Sequence, residues 1–439
     1  MGDNPTSEEM AATAVGHGSA IGLAATEIHV ERTTTHIVTW DPSSVVSAVS
    51  LPAQRRGRLW VRAYDGDGRT AACSGTAQTL TAVRSLVENA QAQLEGAQRT
   101  PYAGPPERYE IAGVGLGVFD RRQANLEEAN REDVLNENID DVRSIDGAEP
   151  IAFRYTEVLR DRAVHASIGP RASETSTHYT LSGKVGNGTH TIEQAVQSRL
   201  FADVASLPLG ADLANQVLRY REPSALPSEA RPLVLDPRVI ARIMAAALPA
   251  FDRRLIDEGK SFLTEGRRVG SEKLHAIDDA RMPGGFRSRA FDARGVPSLD
   301  LPLIREGVVG ALYQDTELSR ELNSRPSGHE GPEGCWPGNL VLRAGTRSRN
   351  MIFPELGPFL LFDELQVSGK WFDLQTGKLR LTGHVFAGSA SDDLKYVGLH
   401  RINTTFIDLW SGIQEVANDQ QRFGAVDVST WVVDGLKVG

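Results

Sequence analysis

The clearest local pattern in the sequence predicts a helix that begins at Pro237 and ends at Pro249. Asp236 suits the capping position, and proline suits the first helical position because its missing N–H would have no partner there. Nonpolar side chains then recur at helical spacing on one face: Ile240, Ile243, Met244, Ala247 and Leu248. A helix with one continuous nonpolar face must pack against other elements, so this segment predicts a buried helix.

Most of the remaining segments are strand-like. From Glu27 the chain has the composition of a β-meander, and the Asp-Gly-Asp-Gly run at 65–68 is typical of a hairpin turn. Nonpolar residues at helical spacing predict a second helix from Leu80 to Leu94. Other elements are predicted as follows: a solvated helix within 120–145, a β-rich stretch at 151–185 before a turn at 186–188, and helices at 192–205 and 406–417.

Prolines at 223, 227 and 232 indicate a domain limit near residue 230. The sequence therefore predicts an α+β protein in three parts. Residues 1–25 form a flexible lead-in that is rich in small residues. Residues 26–230 form an N-terminal α/β domain with an antiparallel meander and helices. Residues 231–439 form a β-rich C-terminal domain that is barrel- or sandwich-like.

Composition narrows the class of protein. The 439 residues carry a formal net charge of −10, which argues against binding to nucleic acid. The chain has neither a nonpolar run long enough to span a membrane nor the pattern of a secretory signal. Two isolated cysteines fit a reducing compartment, so we expect a cytoplasmic protein. Arginine far outnumbers lysine, a bias that favours a bacterial source.

The histidines argue against a helical zinc site on this chain. Such a site needs two histidines one helical turn apart, with a glutamate between them as the base. No two histidines here are three, four or five residues apart; they stand at positions 17, 29, 36, 165, 178, 190, 275, 329, 384 and 400. The sequence therefore predicts neither metal ligands nor catalytic residues on this chain, and ligands from separate segments that converge in space are the alternative.

Local sequence patterns give little support for other kinds of catalysis. A Gly-x-Ser-x-Gly elbow is absent, and Cys73 and Cys335 have no activating neighbour in sequence. Asp278 and Asp279 form a carboxylate pair behind His275, but aspartate also caps turns at strand ends. An independent enzyme that uses His275, Asp278 or Cys335 remains one alternative, and a pure binding or scaffold protein is another.

The second half of the chain resembles the TldD/PmbA family, described first as modulators of DNA gyrase and then as peptidases. The resemblance rests on ordered motifs: Gly259-Lys260-Ser261-Phe262, Ile277-Asp278-Asp279, Gly284-Gly285-Phe286-Arg287-Ser288-Arg289, Phe291-Asp292-Ala293-Arg294-Gly295-Val296-Pro297 and Leu303-Ile304-Arg305-Glu306-Gly307. Thr376-Gly377-Lys378-Leu379 and the segment from Asn403 to Asp419 resemble the family's C-terminal motifs.

This family contains two kinds of chain. One carries His-Glu-x-x-x-His on a helix and binds the catalytic metal, and the TldE or PmbA kind lacks the motif and pairs with the first. Here the corresponding positions, about 244–249, read Met-Ala-Ala-Ala-Leu-Pro. The resemblance thus implies a metal-free subunit of a heteromeric metallopeptidase, with zinc on a TldD-like partner. It implies hydrolysis of a peptide or of an amide-containing small molecule, as in antibiotic biosynthesis.

Three residues depart from the family pattern and are candidate substrate contacts. Arg294 stands where the family usually has glutamate, and His329 and Trp336 replace small polar residues in the loop at 326–337. One hypothesis places all three on a substrate wall for an anionic or aromatic group. The alternative is that Arg294 forms a surface ion pair and that the loop is merely exposed to solvent.

Overall fold

The computed structural model describes residues 5–42, 48–76, 78–111, 115–367, 369–390 and 393–439. The α-helices are α1 Ser7–Ala20, α2 Leu80–Gln93, α3 Glu128–Arg143, α4 Phe201–Ala205, α5 Leu209–Val217, α6 Pro237–Ala247, α7 Arg253–Asp257, α8 Thr316–Glu321, α9 Arg349–Leu356 and α10 Phe406–Ser411. The strands are β1 Ala25–Trp40, β2 Val49–Tyr64, β3 Thr70–Thr76, β4 Glu149–Ala166, β5 Arg171–Gly186, β6 Thr191–Ser198, β7 Leu233–Leu235, β8 Ala276–Asp279, β9 Asp300–Arg305, β10 Val308–Val309, β11 Glu330–Gly331, β12 Gly334–Cys335, β13 Asn339–Leu342, β14 Phe359–Leu365, β15 Lys378–Gly388, β16 Lys395–Thr405, β17 Ile413–Val416, β18 Gln421–Phe423, β19 Val426–Val428 and β20 Trp431–Val433.

The first half is built on one antiparallel six-stranded sheet in the order β3-β2-β1-β4-β5-β6. Its strands alternate between a nonpolar and a polar face, since successive side chains point to opposite sides. At one end of the nonpolar face α1 and α2 pack through Met10 and Val87, and at the other α3 and α5 pack through Leu135 and Leu213. The polar face is thereby left for the second half of the chain.

The second half contains two mixed six-stranded sheets, β10-β9-β8-β13-β19-β18 and β16-β15-β14-β7-β20-β17. Helix α6 contacts both sheets, and its buried residues share a core with Phe362 of one sheet and Leu340 of the other. Both sheets end in edge strands among the described residues. The barrel-like alternative is therefore wrong, and the predicted α+β class is confirmed.

The two halves share a core. Tyr155 and Leu181 of the N-terminal sheet lie in one nonpolar cluster with Phe359 and Val432 of the C-terminal half, and α3 and α5 lie between them. The domain limit near residue 230 stays a prediction.

Several predicted elements are confirmed. Helix α6 begins at Pro237, and the Asp236 side chain accepts the Arg238 backbone N–H. Helix α2 and the hairpin between β2 and β3 also lie where the sequence predicts them.

Four predicted elements are wrong in whole or in part. The flexible lead-in is a helix from Ser7 to Ala20 that buries Met10, although residues 1–4 lie outside the described part. Strand β6 replaces most of the helix predicted at 192–205, because it pairs with β5 at the sheet edge. The helix from residue 406 ends at Ser411, where Gly412 precedes β17. Helix α3 is not merely solvated, since it buries Leu135 and Ile139.

Candidate functional site

A cavity of about 430 Å³ lies beside the short hairpin formed by β11 and β12, and we call it the hairpin cavity. Its lining includes Arg294, His329 and Cys335, which the sequence analysis singled out. Trp336 follows the hairpin and lines a separate pocket of about 280 Å³. The structure therefore brings two of the three predicted substrate contacts to one cavity and places the third in its neighbour.

Arg294 is held in a buried ion-pair cluster. A tight turn positions it: Gly295 adopts φ 79°, and the Asp292 carboxylate accepts the Arg294 backbone N–H at 2.8 Å. The guanidinium lies 2.5 Å from Glu27 and 3.1 Å from Glu330. Burial alone lowers the pKa of Arg294, but the two carboxylates outweigh it and raise that pKa above its ordinary value.

The side chain of Arg294 is only 1 % exposed, so the surface ion pair offered as an alternative is wrong. Because Arg294 is buried, most of its N–H groups point to protein partners, including the Tyr64 hydroxyl oxygen at 2.9 Å. A substrate contact by Arg294 stays a prediction, and the structure gives this residue a clear role in joining the two halves of the chain.

His329 belongs to a buried polar network with Asp278. Its Nδ1 lies 2.8 Å from the Ser327 carbonyl oxygen, and its Nε2 lies 3.5 Å from the Asp278 carboxylate. That carboxylate also accepts the Tyr313 hydroxyl at 2.6 Å and the Gly338 backbone N–H at 2.8 Å. Burial raises the pKa of Asp278, but His329 and Tyr313 outweigh burial and lower it. A carboxylate with this many donors orders the core and is a weak base.

The other candidates for independent catalysis are poorly placed for it. Burial and the nearby Asp252 raise the pKa of the Cys335 thiol to about 12, which disfavours the thiolate that a nucleophile requires. His275 immediately precedes β8 and lines neither the hairpin cavity nor the Trp336 pocket.

Sequence reasoning missed a large concavity among the described residues. A cleft of about 1190 Å³ opens at the N-terminus of α6, and Asp236, Arg238 and Asp363 are among its lining residues. The Asp363 carboxylate accepts the Tyr220 hydroxyl at 3.0 Å and pairs with Arg219 at 3.1 Å. In the sequence, Asp236-Pro237 predicted only the start of a helix. It did not indicate a cleft, because the other lining residues are far away in sequence.

The residues of α6 do not fit a zinc site. Met244, Ala247 and Leu248 are buried in the core of the C-terminal half, and Ala245 and Ala246 carry no ligating atom. Zinc in proteins is bound by cysteine, histidine and carboxylate side chains. Across the ranges that the structure describes, no three such side chains lie together in a way that could hold a metal ion.

None of the described helices combines the length and the nonpolar character that crossing a membrane requires.

Known proteins share this fold over nearly the whole chain. A candidate modulator of DNA gyrase from Thermotoga maritima matches 98 % of this chain and 100 % of its own with a TM-score of 0.87 at 16 % identity. TldE from Thermococcus kodakarensis matches 98 % of this chain and 100 % of its own with a TM-score of 0.82 at 17 % identity. The chain thus has the α+β fold of TldE-like proteins.

Sequence comparisons identify the family. Residues 228–439 match the model of the PmbA/TldA metallopeptidase C-terminal domain. A metalloprotease of Methanothermobacter thermautotrophicus is 32 % identical over 28 % of this chain and 27 % of its own. Metalloprotease PmbA of Escherichia coli O157:H7 is 21 % identical over 52 % and 50 %. These matches span about a quarter to half of the relatives' length, and the C-terminal half of the chain, residues 228–439, belongs to the TldD/PmbA family.

Proposed function

We propose that this chain is the metal-free subunit of a heteromeric TldD/TldE-type metallohydrolase in the cytoplasm. A TldD-like partner with His-Glu-x-x-x-His supplies the zinc ion and the general base. This chain supplies an interface and part of the substrate wall. The substrate is a peptide or an amide-containing small molecule, and the chemistry of bond cleavage belongs to the partner.

One observation carries the proposal. By the family resemblance, residues 244–249 at the end of α6 correspond to the metal-binding motif, and they have the sequence Met-Ala-Ala-Ala-Leu-Pro. The inward side chains of this segment fill the core beside Phe362 and Leu340, so this segment is a packing element. The family resemblance supplies the expectation of hydrolysis, and the lack of ligating side chains at 244–249 supports a metal site on a second chain.

The alternative of an independent enzyme finds no support at its candidate residues. Asp278 is 0 % exposed and accepts hydrogen bonds from Tyr313 and Gly338, and Cys335 is a thiol whose pKa is raised. A nucleophile or base needs an accessible atom that ionises near neutral pH.

Co-expression with a histidine-bearing family member from the same genome tests the proposal. We expect the two chains to co-purify through a size-exclusion column, since a stable interface buries at least about 1,000 Å². Peptidase activity should require both chains and should disappear when the partner's motif glutamate is replaced by glutamine. Separate elution, with full activity from the partner alone, would overturn the proposed role.

A further inference from the structure

The polar face of the N-terminal sheet and the segment at 286–289 enclose the 280 Å³ pocket that Trp336 lines, which we call the arginine pocket. Five guanidinium groups lie around it: Arg160, Arg162, Arg199, Arg287 and Arg289. Arg162, Arg199 and Arg289 are only 1–3 % exposed. Removing a charged group from water is costly unless an opposite charge pairs with it, so each of these cations should have an acidic partner.

The acidic partners are too few. In the described part of the chain, Glu174 is the only carboxylate that lines the arginine pocket. One of its oxygens accepts Arg162 at 2.9 Å, and the other accepts the Ala290 backbone N–H at 2.8 Å. Arg160 has a looser partner outside the pocket, Glu31, at 3.7 Å. No ion pair within the described ranges involves Arg199, Arg287 or Arg289, so the pocket carries an excess of positive charge.

Backbone carbonyls hold two of the arginines that lack an ion pair in place. Arg199 donates to the carbonyls of Gly285 at 3.2 Å and Ser288 at 2.9 Å, and Arg289 donates to that of Pro337 at 3.3 Å. Carbonyl groups fix the direction of a guanidinium without neutralising its charge. Burial first, and then neighbouring arginines, lower the pKa of Arg199 to about 9. Binding of an anion reduces the repulsion between these positive charges.

Several guanidinium nitrogens also lack a hydrogen-bond acceptor. Among the residues that the structure describes, Arg160 Nε, Arg162 Nη1 and Arg289 Nε are buried without one. The Trp336 ring lies 5.0 Å from the Arg162 guanidinium and 4.8 Å from that of Arg289. These contacts restrict the orientation of both guanidinium planes. Such fixed and unsatisfied donors match the oxygens of a carboxylate or phosphate, which guanidinium groups bind in a bidentate manner.

We propose that the arginine pocket binds the phosphate or carboxylate group of a small organic molecule. The arginine pocket is larger than an oxyanion alone, and the rings of Phe286 and Trp336 line the remaining space. An aromatic or other planar group attached to the anion fits that lining. The site lies wholly within this chain, so binding does not depend on the proposed partner.

Calorimetric titration of the purified chain in low-chloride buffer tests the site. The probes are inorganic phosphate, phenyl phosphate, benzoate and, as the uncharged control, benzyl alcohol. We expect saturable binding of at least one anion, weakening as salt is added, and no binding of benzyl alcohol. A preference for phenyl phosphate over benzoate would identify a phosphate ester, and the reverse would identify a carboxylate. If none of the three anions binds, the proposal is wrong.

Two variants locate the binding. Arg199→Gln removes a buried donor, and Arg287→Gln removes a charge from the exposed rim of the pocket. Each should weaken anion binding by about tenfold or more, because hydrogen bonds to charged groups are strong. Arg84→Gln, on the exposed face of α2, is the matched control and should bind as the wild type does. Equal binding by Arg287→Gln and Arg84→Gln would place the anion elsewhere and overturn the proposal, even if Arg199→Gln failed to fold.

Discussion

The Arg294 guanidinium lies 2.5 Å from the Glu27 carboxylate, and the two side chains are 1 % and 2 % exposed. Glu27 belongs to β1 of the N-terminal sheet, whereas Arg294 lies in a turn of the C-terminal half. Glu330, in the wall of the hairpin cavity, lies 3.1 Å from the same arginine, and Arg62 pairs with Glu27 at 3.4 Å and with Glu330 at 3.2 Å. One buried cation thus connects the two halves of the chain and the wall of the cavity.

Replacing Arg294 with alanine should destabilise the protein strongly. The change leaves Glu27 and Glu330 buried without their main counter-charge, and breaking a buried pair costs about 3–5 kcal/mol. Urea unfolding, followed by tryptophan fluorescence, measures the loss. Arg294→Lys should lie between alanine and wild type, since lysine keeps the charge but not the forked geometry. An unchanged unfolding midpoint for Arg294→Ala would contradict the structural role.

The purified chain alone should contain no stoichiometric zinc and should hydrolyse no peptide. The physical reason is the composition of α6, where Met244 and its neighbours offer no ligand. Elemental analysis after dialysis measures the metal content, and the histidine-bearing partner, treated identically, is the positive control. One tightly bound zinc ion per chain would show that scattered ligands assemble a site after all.

The Cys335 thiol should react slowly with iodoacetamide at neutral pH. Burial and Asp252 raise its pKa to about 12, so the reactive thiolate is scarce. The measurement is the rate of alkylation in a Cys73→Ser background, with the same protein in urea as the reference for a free thiol. A folded-state rate equal to the unfolded one would indicate an activated cysteine and would revive Cys335 as a nucleophile.

His384 should make the protein acid-sensitive. Its ring is 1 % exposed and stacks 3.9 Å from Tyr220, and burial, together with His190, lowers its pKa from 6.5 to about 4. Between those values the unfolded chain gains a proton that the folded chain does not. Stability should therefore fall as the pH drops from about 6.5 to about 4, by up to about 3 kcal/mol. Urea midpoints across this window should fall less for His384→Gln, and parallel curves would refute the assignment.

Gly210 should not tolerate alanine. A Cβ atom there would lie 2.0 Å from the Asn138 backbone oxygen, so α3 and α5 would have to move apart at a cost of about 1–3 kcal/mol. Gly16→Ala is the matched control, because a Cβ at that exposed position of α1 meets nothing within 4 Å. The control should be neutral or slightly stabilising, since alanine favours the helix. Thermal unfolding of both variants makes the comparison, and similar midpoints would argue against close helix packing.

Secondary-structure elements whose signals lie within one short segment could be predicted from the sequence. Helix α6 could be predicted because Asp236, Pro237 and Pro249, which mark its start and its approximate end, lie within one short segment. Residues 192–205 illustrate the limit, because Ile192 and Val196 stand four residues apart and fit a helix as well as a strand. Pairing with β5 decides in favour of β6, and that partner is not visible in the local pattern.

The site was predicted less completely for the same reason. The departures from the family pattern drew attention to Arg294 and His329, which do line a cavity. Their main partners, Glu27 and Asp278, are far away in sequence, so the buried pairing could not be read from spacing. The arginine pocket was missed entirely, since its arginines come from β4, from the segment after β6 and from a C-terminal loop.

The position of β20 has a consequence for synthesis on the ribosome. This strand, Trp431–Val433, lies between β7 and β17, and its Val432 reaches the cluster that also holds Tyr155 of the N-terminal sheet. A nascent chain therefore exposes the nonpolar edge of β7 until almost all of the printed sequence has been translated. Sheets closed by such distant pairings fold slowly and aggregate readily meanwhile. We expect the yield of native protein to depend on chaperones that shield the unfinished chain.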